Sequence, residues 1–181
     1  MTGALPARAA GGVQRCTPGV RYGVKGADAA RWLASQAIAV PAGANRVSRW
    51  VQDGGGRCLR LGHSEFLVEL DAPGSRGPAA APRQVAAAAW VLLRSDCSLL
   101  LDHALCCEAM PQLCSFDFSR LHDEPDLVVM TLLAGISVTL TREPATADAP
   151  PALRLWCDAS YATYLQQCLQ QLASPVHGES R

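Results

Sequence analysis

The sequence predicts an α+β fold, with two related strand–helix–strand halves and antiparallel sheets. Three observations carry that expectation. Short strand patterns bounded by Gly and Pro recur from Val20 to Cys157, and helical spacing appears in only a few places. Two Gly-bearing turns, Asp53-Gly-Gly-Gly56 and Ala134-Gly135, join consecutive strands as hairpins. An outline of strand, helix and strands occurs twice, with a small-residue match between Gly26-Ala-Asp-Ala29 and Leu101-Asp-His-Ala104.

The elements follow in order. Residues 1–16 are rich in Ala, Gly and Pro and read as a flexible arm. The first half, 17–72, opens with a strand at Val20–Val24 and a helix at Ala27–Ile38. Ala29, Ala30, Trp32, Leu33 and Ala37 form its expected buried stripe. Pro41 ends that unit. Strands at Val47–Gln52, Arg57–Leu61 and Glu65–Leu70 follow, the last with Phe66, Val68 and Leu70 on one face. Residues 73–85 carry Pro73, Gly74, Gly77, Pro78 and Pro82, which rule out a regular element and mark a linker.

The second half, 86–174, opens with the apolar run Ala86–Arg94, expected to be a buried strand. Leu101–Leu113 is helical in composition, and Phe116-Asp-Phe118 alternates as a strand within Cys114–Leu121. Leu127–Leu133 and Ile136–Thr141 form the clearest hairpin. A polar, Pro-rich loop at Pro144–Pro151 precedes a last strand, Ala152–Cys157. Asp158 then caps the best helix, where Tyr161, Tyr164, Leu165, Cys168, Leu169 and Leu172 follow helical spacing. Ser174-Pro175 stops it, leaving a polar tail at 175–181.

Composition excludes several classes of function. With 16 basic and 16 acidic residues the formal charge is zero, so the footprint expected for nucleic acid is absent. A low charged fraction of 18% argues for a protein that lives in a complex. No stretch approaches the roughly 20 apolar residues that cross a bilayer, so no membrane is expected. No signal peptide is evident, and eight Cys then read as reduced thiols of a cytoplasmic protein.

The candidate sites are few. Asp117 reads in two ways: a carboxylate facing a ligand pocket, or an outward residue that meets solvent or caps a turn. Arg142 ends a strand, where its planar fork could clamp an anion or serve as a surface or inter-subunit charge. Cys97, Cys106, Cys107, Cys114 and His103 invite a metal reading, but adjacent Cys residues diverge on a helix and His103-Ala-Leu-Cys106 is a single pair, so no metal site is expected. His63 belongs to the turn Gly62-His-Ser-Glu65, too tight in sequence to form a triad. Gly54-Gly-Gly56 lacks the following Lys-Ser/Thr of a phosphate loop, and no Gly-x-Gly-x-x-Gly fingerprint occurs. No catalytic residue is assigned.

The order of Val20-Arg-Tyr-Gly-Val-Lys-Gly-Ala-Asp-Ala-Ala-Arg-Trp-Leu33 and Leu61-Gly-His-Ser-Glu-Phe-Leu-Val-Glu69 resembles the gamma subunit family of heterotetrameric sarcosine oxidase. More distantly it is similar to the N-terminal region of the folate-binding aminomethyltransferases of glycine cleavage. Phe116-Asp117-Phe118, Met130-Thr-Leu132, Thr139-Leu-Thr-Arg142 and Ala159-Ser-Tyr-Ala-Thr-Tyr-Leu165 continue the match, which spans roughly residues 18–173. The resemblance implies an accessory subunit with no active site of its own, within an oxidoreductase acting on CH–NH groups. Larger flavoprotein partners would carry the flavin and oxidise a secondary amine. This chain alone would hold no cofactor, although tetrahydrofolate enters through the resemblance, with Asp117 and Arg142 as the ligand-binding candidates. The folate enzymes follow their strand-ending Arg with Gly-Glu-x-Gly; here Glu143-Pro-Ala-Thr follows Arg142. Two alternatives stand beside the subunit reading: a stand-alone reduced-pterin-binding protein of one-carbon metabolism, and a ligand-free interaction module.

Overall fold

In the computed structural model, the described residues are 12–17, 20–71, 83–102, 110–146 and 150–173. They form an α+β fold built on two antiparallel sheets. The strands are β1 (Val13–Cys16), β2 (Val20–Lys25), β3 (Arg46–Trp50), β4 (Gly56–Arg60), β5 (Glu65–Leu70), β6 (Arg83–Ala86), β7 (Ala89–Leu93), β8 (Cys97–Asp102), β9 (Val128–Leu133), β10 (Ile136–Glu143) and β11 (Ala152–Cys157). The helices are α1 (Ala29–Ser35), the single turns α2 (Met110–Leu113) and α3 (Arg120–Asp123), and α4 (Ala162–Ala173). None of the described helices is long and apolar enough to cross a membrane.

The sheets read β3-β4-β5-β2-β7-β6 and β9-β10-β11-β8-β1. The first five strands of one match all five of the other in order, so the internal repeat is one of topology. The chain divides into two compact units, but not at the Pro/Gly-rich segment. Of the described residues, the first unit takes those within Thr17–Asp96 and Asp126–Met130; the second takes 12–16, those within Cys97–Pro125 and those from Thr131 to Ala173. Two domain expectations are thereby corrected. Residues 13–16 are not a loose arm but strand β1, paired with β8 from Val13↔Leu101 to Cys16↔Ser98. The expected linker 73–85 does not separate the halves: its last residues, from Arg83, open β6, and β6 and β7 complete the first sheet by pairing β7 with β2. The physical reason is long-range strand pairing. β1 precedes β2 in the chain yet lies beside β8, and β7 precedes β8 yet lies beside β2.

In the first unit α1 lies against one sheet face. Ala29 and Leu33 are buried with Tyr22, Val24, Phe66, Val68, Leu70, Ala89 and Val91. Burying a side chain such as Leu33 contributes roughly 1.5–3 kcal/mol. Asp28 does not cap its own helix by a side-chain bond. Its carboxylate instead accepts from the Ala88 N–H at 3.1 Å, and its own N–H donates to the Ala88 carbonyl at 3.0 Å, tying the start of α1 to the β6–β7 turn. Gly26 is needed there: its φ is +126°, and a Cβ would stand 2.0 Å from the Ala88 carbonyl oxygen. Ala37, expected in the buried stripe, is exposed at φ +58° and ends the helix. The Ile38 N–H reaches back to the Leu33 carbonyl, a left-handed C-terminal motif filled by Ala in place of Gly.

The opposite face of the same sheet carries charge. In register across β4, β5 and β2 stand Arg57, Glu69 and Arg21. The fully buried Glu69 carboxylate accepts from Arg57 at 2.6 Å and from Arg21 at 2.5 Å. Arg57 also reaches Asp71 at 2.9 Å, and Arg21 donates to the Asp96 carbonyl. Cys58, on the core face, has its thiol pushed up to about 12 by burial, an effect the nearby Arg60 charge partly offsets.

Three further expectations are corrected. The run at Ala86–Arg94 is not one buried strand but the end of β6, a turn and β7, and in β7 Ala89 and Val91 are buried while Trp90, Leu92 and Leu93 stand about half exposed. The expected helix Leu101–Leu113 is strand β8 through Asp102 and helix only at α2, with 103–109 outside the described residues. Cys114–Leu121 is a turn leading into α3 rather than a strand, because Asp117 and Ser119 bond locally and leave no ladder to join. In the second unit α4 packs over β1 and β8 through Ala162, Leu165 and Leu169. Tyr161 and Tyr164, expected in that stripe, are about half exposed: Tyr161 sits in a 3₁₀ turn that Asp158 caps ahead of the helix, which shifts the phase of the buried face.

Two outcomes follow from this architecture. Deleting residues 1–16 removes β1, so amide exchange along Cys97–Asp102 should quicken while β2 and β5 stay protected; unchanged exchange along β8 would refute the β1–β8 pairing. Replacing Glu69 with Gln leaves two buried guanidinium groups short of their counter-charge. Urea unfolding should show a loss of about 3–5 kcal/mol.

Candidate functional site

The second unit holds a cleft of about 640 Å³, beneath a segment built from α2, the Asp117 turn and α3. Its apolar wall comes from Pro111, Phe116, Phe118, Leu121, Ala152 and Leu153, and its polar groups are Asp117, Ser119, His122, Asp123 and Arg142. The sheet contributes through register: Arg142 on β10 is directly opposite Leu153 on β11, so both reach the same face.

Local chemistry shapes the turn. The Phe116 N–H donates to the Cys114 sulfur at 3.4 Å. The Asp117 carboxylate accepts from the Ser119 N–H at 3.0 Å and from the Ser119 hydroxyl at 2.7 Å. That closes a side-chain turn of the kind Asp makes two residues ahead of a partner. The Ser119 hydroxyl and then its N–H hold the Asp117 carboxyl below the usual carboxylate range, so it stays charged into mild acid. The rings of Phe116 and Phe118 meet edge to face, with centroids 5.2 Å apart and planes at 84°. Arg142 donates to the His122 carbonyl at 3.4 Å, pinning the end of α3 to β10.

Both ligand-binding candidates of the sequence, Asp117 and Arg142, thus line one cleft. Asp117 is exposed and caps a turn, the second of its two sequence readings, and it lines the cleft as well. The sequence put Phe116 and Phe118 on an alternating strand and did not single out His122 or Asp123. The signal that was present is Asp117-Phe-Ser119, a turn-forming spacing that argues against a strand. His63 lies exposed in its turn, where its carbonyl accepts from Arg60. Of the metal candidates, His103, Cys106 and Cys107 lie outside the described residues. Cys97 and Cys114 are free thiols, and among the described residues no group of three His, Cys, Asp or Glu side chains is arranged to hold a metal.

No protein-family model matches the sequence, and no curated protein matches it either. Solved structures do match. A chain of the heterotetrameric sarcosine oxidase from Corynebacterium sp. U-96, in complex with pyrrole 2-carboxylate, superposes with a TM-score of 0.67. The match covers 89% of this chain and 82% of that one at 19% identity. The protein therefore has a sarcosine oxidase subunit-like fold. At that identity the likeness speaks for architecture alone.

Changing Ser119 to Ala deletes the hydroxyl donor, so the Asp117 pKa should rise toward the ordinary carboxylate value, about 3.9. A carboxyl-carbon NMR titration of the variant against the parent reads it, and coincident curves would show that the hydroxyl has no such role.

Proposed function

We propose that this protein is an accessory, non-catalytic subunit of a hetero-oligomeric oxidase, in the role of a sarcosine oxidase gamma chain. Larger partners would carry the flavin and oxidise a secondary amine such as an N-methyl amino acid. This chain would complete an interface and stabilise the assembly in the cytoplasm, binding no flavin of its own. The observation that carries this reading is the superposition over most of both chains with a component of a heterotetrameric oxidase. The composition supports it: charged residues make up 18% of the chain, and Trp90, Leu92, Met130, Leu132, Tyr161 and Tyr164 stay about half exposed. Depletion of charge and enrichment in aromatic residues mark the cores of protein interfaces.

A tagged copy recovered from the native host tests the proposal. Co-elution of larger chains with an absorption band near roughly 450 nm, where an oxidised flavin absorbs, is the expected result. Recovery of a lone, colourless chain under conditions that preserve other complexes would overturn it.

A further inference from the structure

We propose that the cleft of the second unit is a binding site for a small organic ammonium ion, with its alkyl groups against Phe116 and Phe118 and its charge facing Asp117. This inference does not depend on the subunit reading.

Size and lining come first. A cleft of about 640 Å³, walled mainly by apolar side chains with a few polar groups, falls in the range of small-molecule sites. The ligand's charge follows from the polar lining. Among the described lining residues, Asp117 and Asp123 bring two carboxylates against the guanidinium of Arg142, which already donates to the His122 carbonyl, while Arg120, whose charge also reaches Asp117, is paired with Glu124. An anionic ligand would have to approach both carboxylates, so the field disfavours it. A cation is favoured, and Asp117 suits it because its carboxylate is oriented in advance by two donors from Ser119.

The walls then separate an organic cation from a metal ion. A hard metal needs several oxygen ligands, whereas the walls beside Asp117 are the rings of Phe116 and Phe118. Aromatic rings attract cations through their quadrupole and suit alkylammonium groups, which shed water more readily than a bare ion. The Phe-Asp-Phe sequence thus gives one apolar cleft both a fixed carboxylate and a pair of touching aromatic rings.

The test uses the full chain and choline as the probe, with 3,3-dimethyl-1-butanol as its neutral isostere. Calorimetry and aromatic NMR shifts should show saturable choline binding that perturbs Phe116 and Phe118. The isostere should bind about tenfold more weakly or worse, since it lacks the charge. Asp117→Asn keeps an oxygen to accept from Ser119, so the turn survives; it should weaken choline about tenfold and leave the isostere unchanged. Phe118→Leu keeps apolar bulk and should weaken choline selectively. No saturable binding in the millimolar range, equal affinity for the isostere, or an unaltered Asp117→Asn variant would each overturn the proposal. Saturable binding of tetrahydrofolate that perturbs these rings, in place of choline, would reassign the cleft to a pterin. A flavin-bearing assembly recovered by pull-down beside a choline-blind cleft would leave the subunit reading standing and this one refuted.

Discussion

Strand pairing across long stretches of chain is the constraint on which the rest of the structure depends. β1 closes the sheet that contains β8, and β7 extends the sheet that contains β2, although each adjoins the other partner in sequence. The six-stranded sheet is complete within Val20–Leu93, whereas the five-stranded sheet needs β1 from ahead of that whole stretch. Pairings of this range are costly in loop entropy before any contact forms. The Asp28–Ala88 hydrogen bonds and the close approach at Gly26 secure one such junction, since they hold the turn before β7 against the start of α1.

Charge is used sparingly and often deeply. Glu69 is fully buried between two arginines, and in the second unit Arg154 and Glu143 come within 3.2 Å of each other at low exposure. Buried pairs of this kind add little net stability compared with apolar packing, yet removing one member is costly. They act mainly on register. A one-residue slip of β4 or β2 against β5 would send Arg57 or Arg21 to the face that holds Phe66 and Val68.

The cleft depends on the same framework. β10 and β11 set Arg142 opposite Leu153, and the short α2–α3 segment closes over them through an Asp–Ser turn and one arginine-to-carbonyl bond. The covering segment contains only two helical turns and a local side-chain turn. Its precision comes from hydrogen bonds that Asp117, Ser119 and Arg142 make close to the backbone. A site built in this way can differ between proteins of one fold without disturbing either sheet.

Much of the element list was legible in the residues. The hairpin at Ala134-Gly135, the fully buried β11 and the Asp158 cap carry local signals: a Gly turn, an apolar run, and an Asp before helical spacing. Asp117 and Arg142 could be singled out one at a time by the same means. The tertiary structure alone decided which strands neighbour one another, that β1 is a strand at all, and that Trp90 and Leu92 face outward. It alone put Asp117 and Arg142 on one cleft, with Phe116 and Phe118 on its wall rather than in a core. The reason is physical. Turn chemistry and capping act within a few residues and are written in the local sequence. Edge pairing, burial of a given strand face and the formation of a cleft are settled by residues some tens of positions apart, such as Val13 and Leu101 or Asp28 and Ala88.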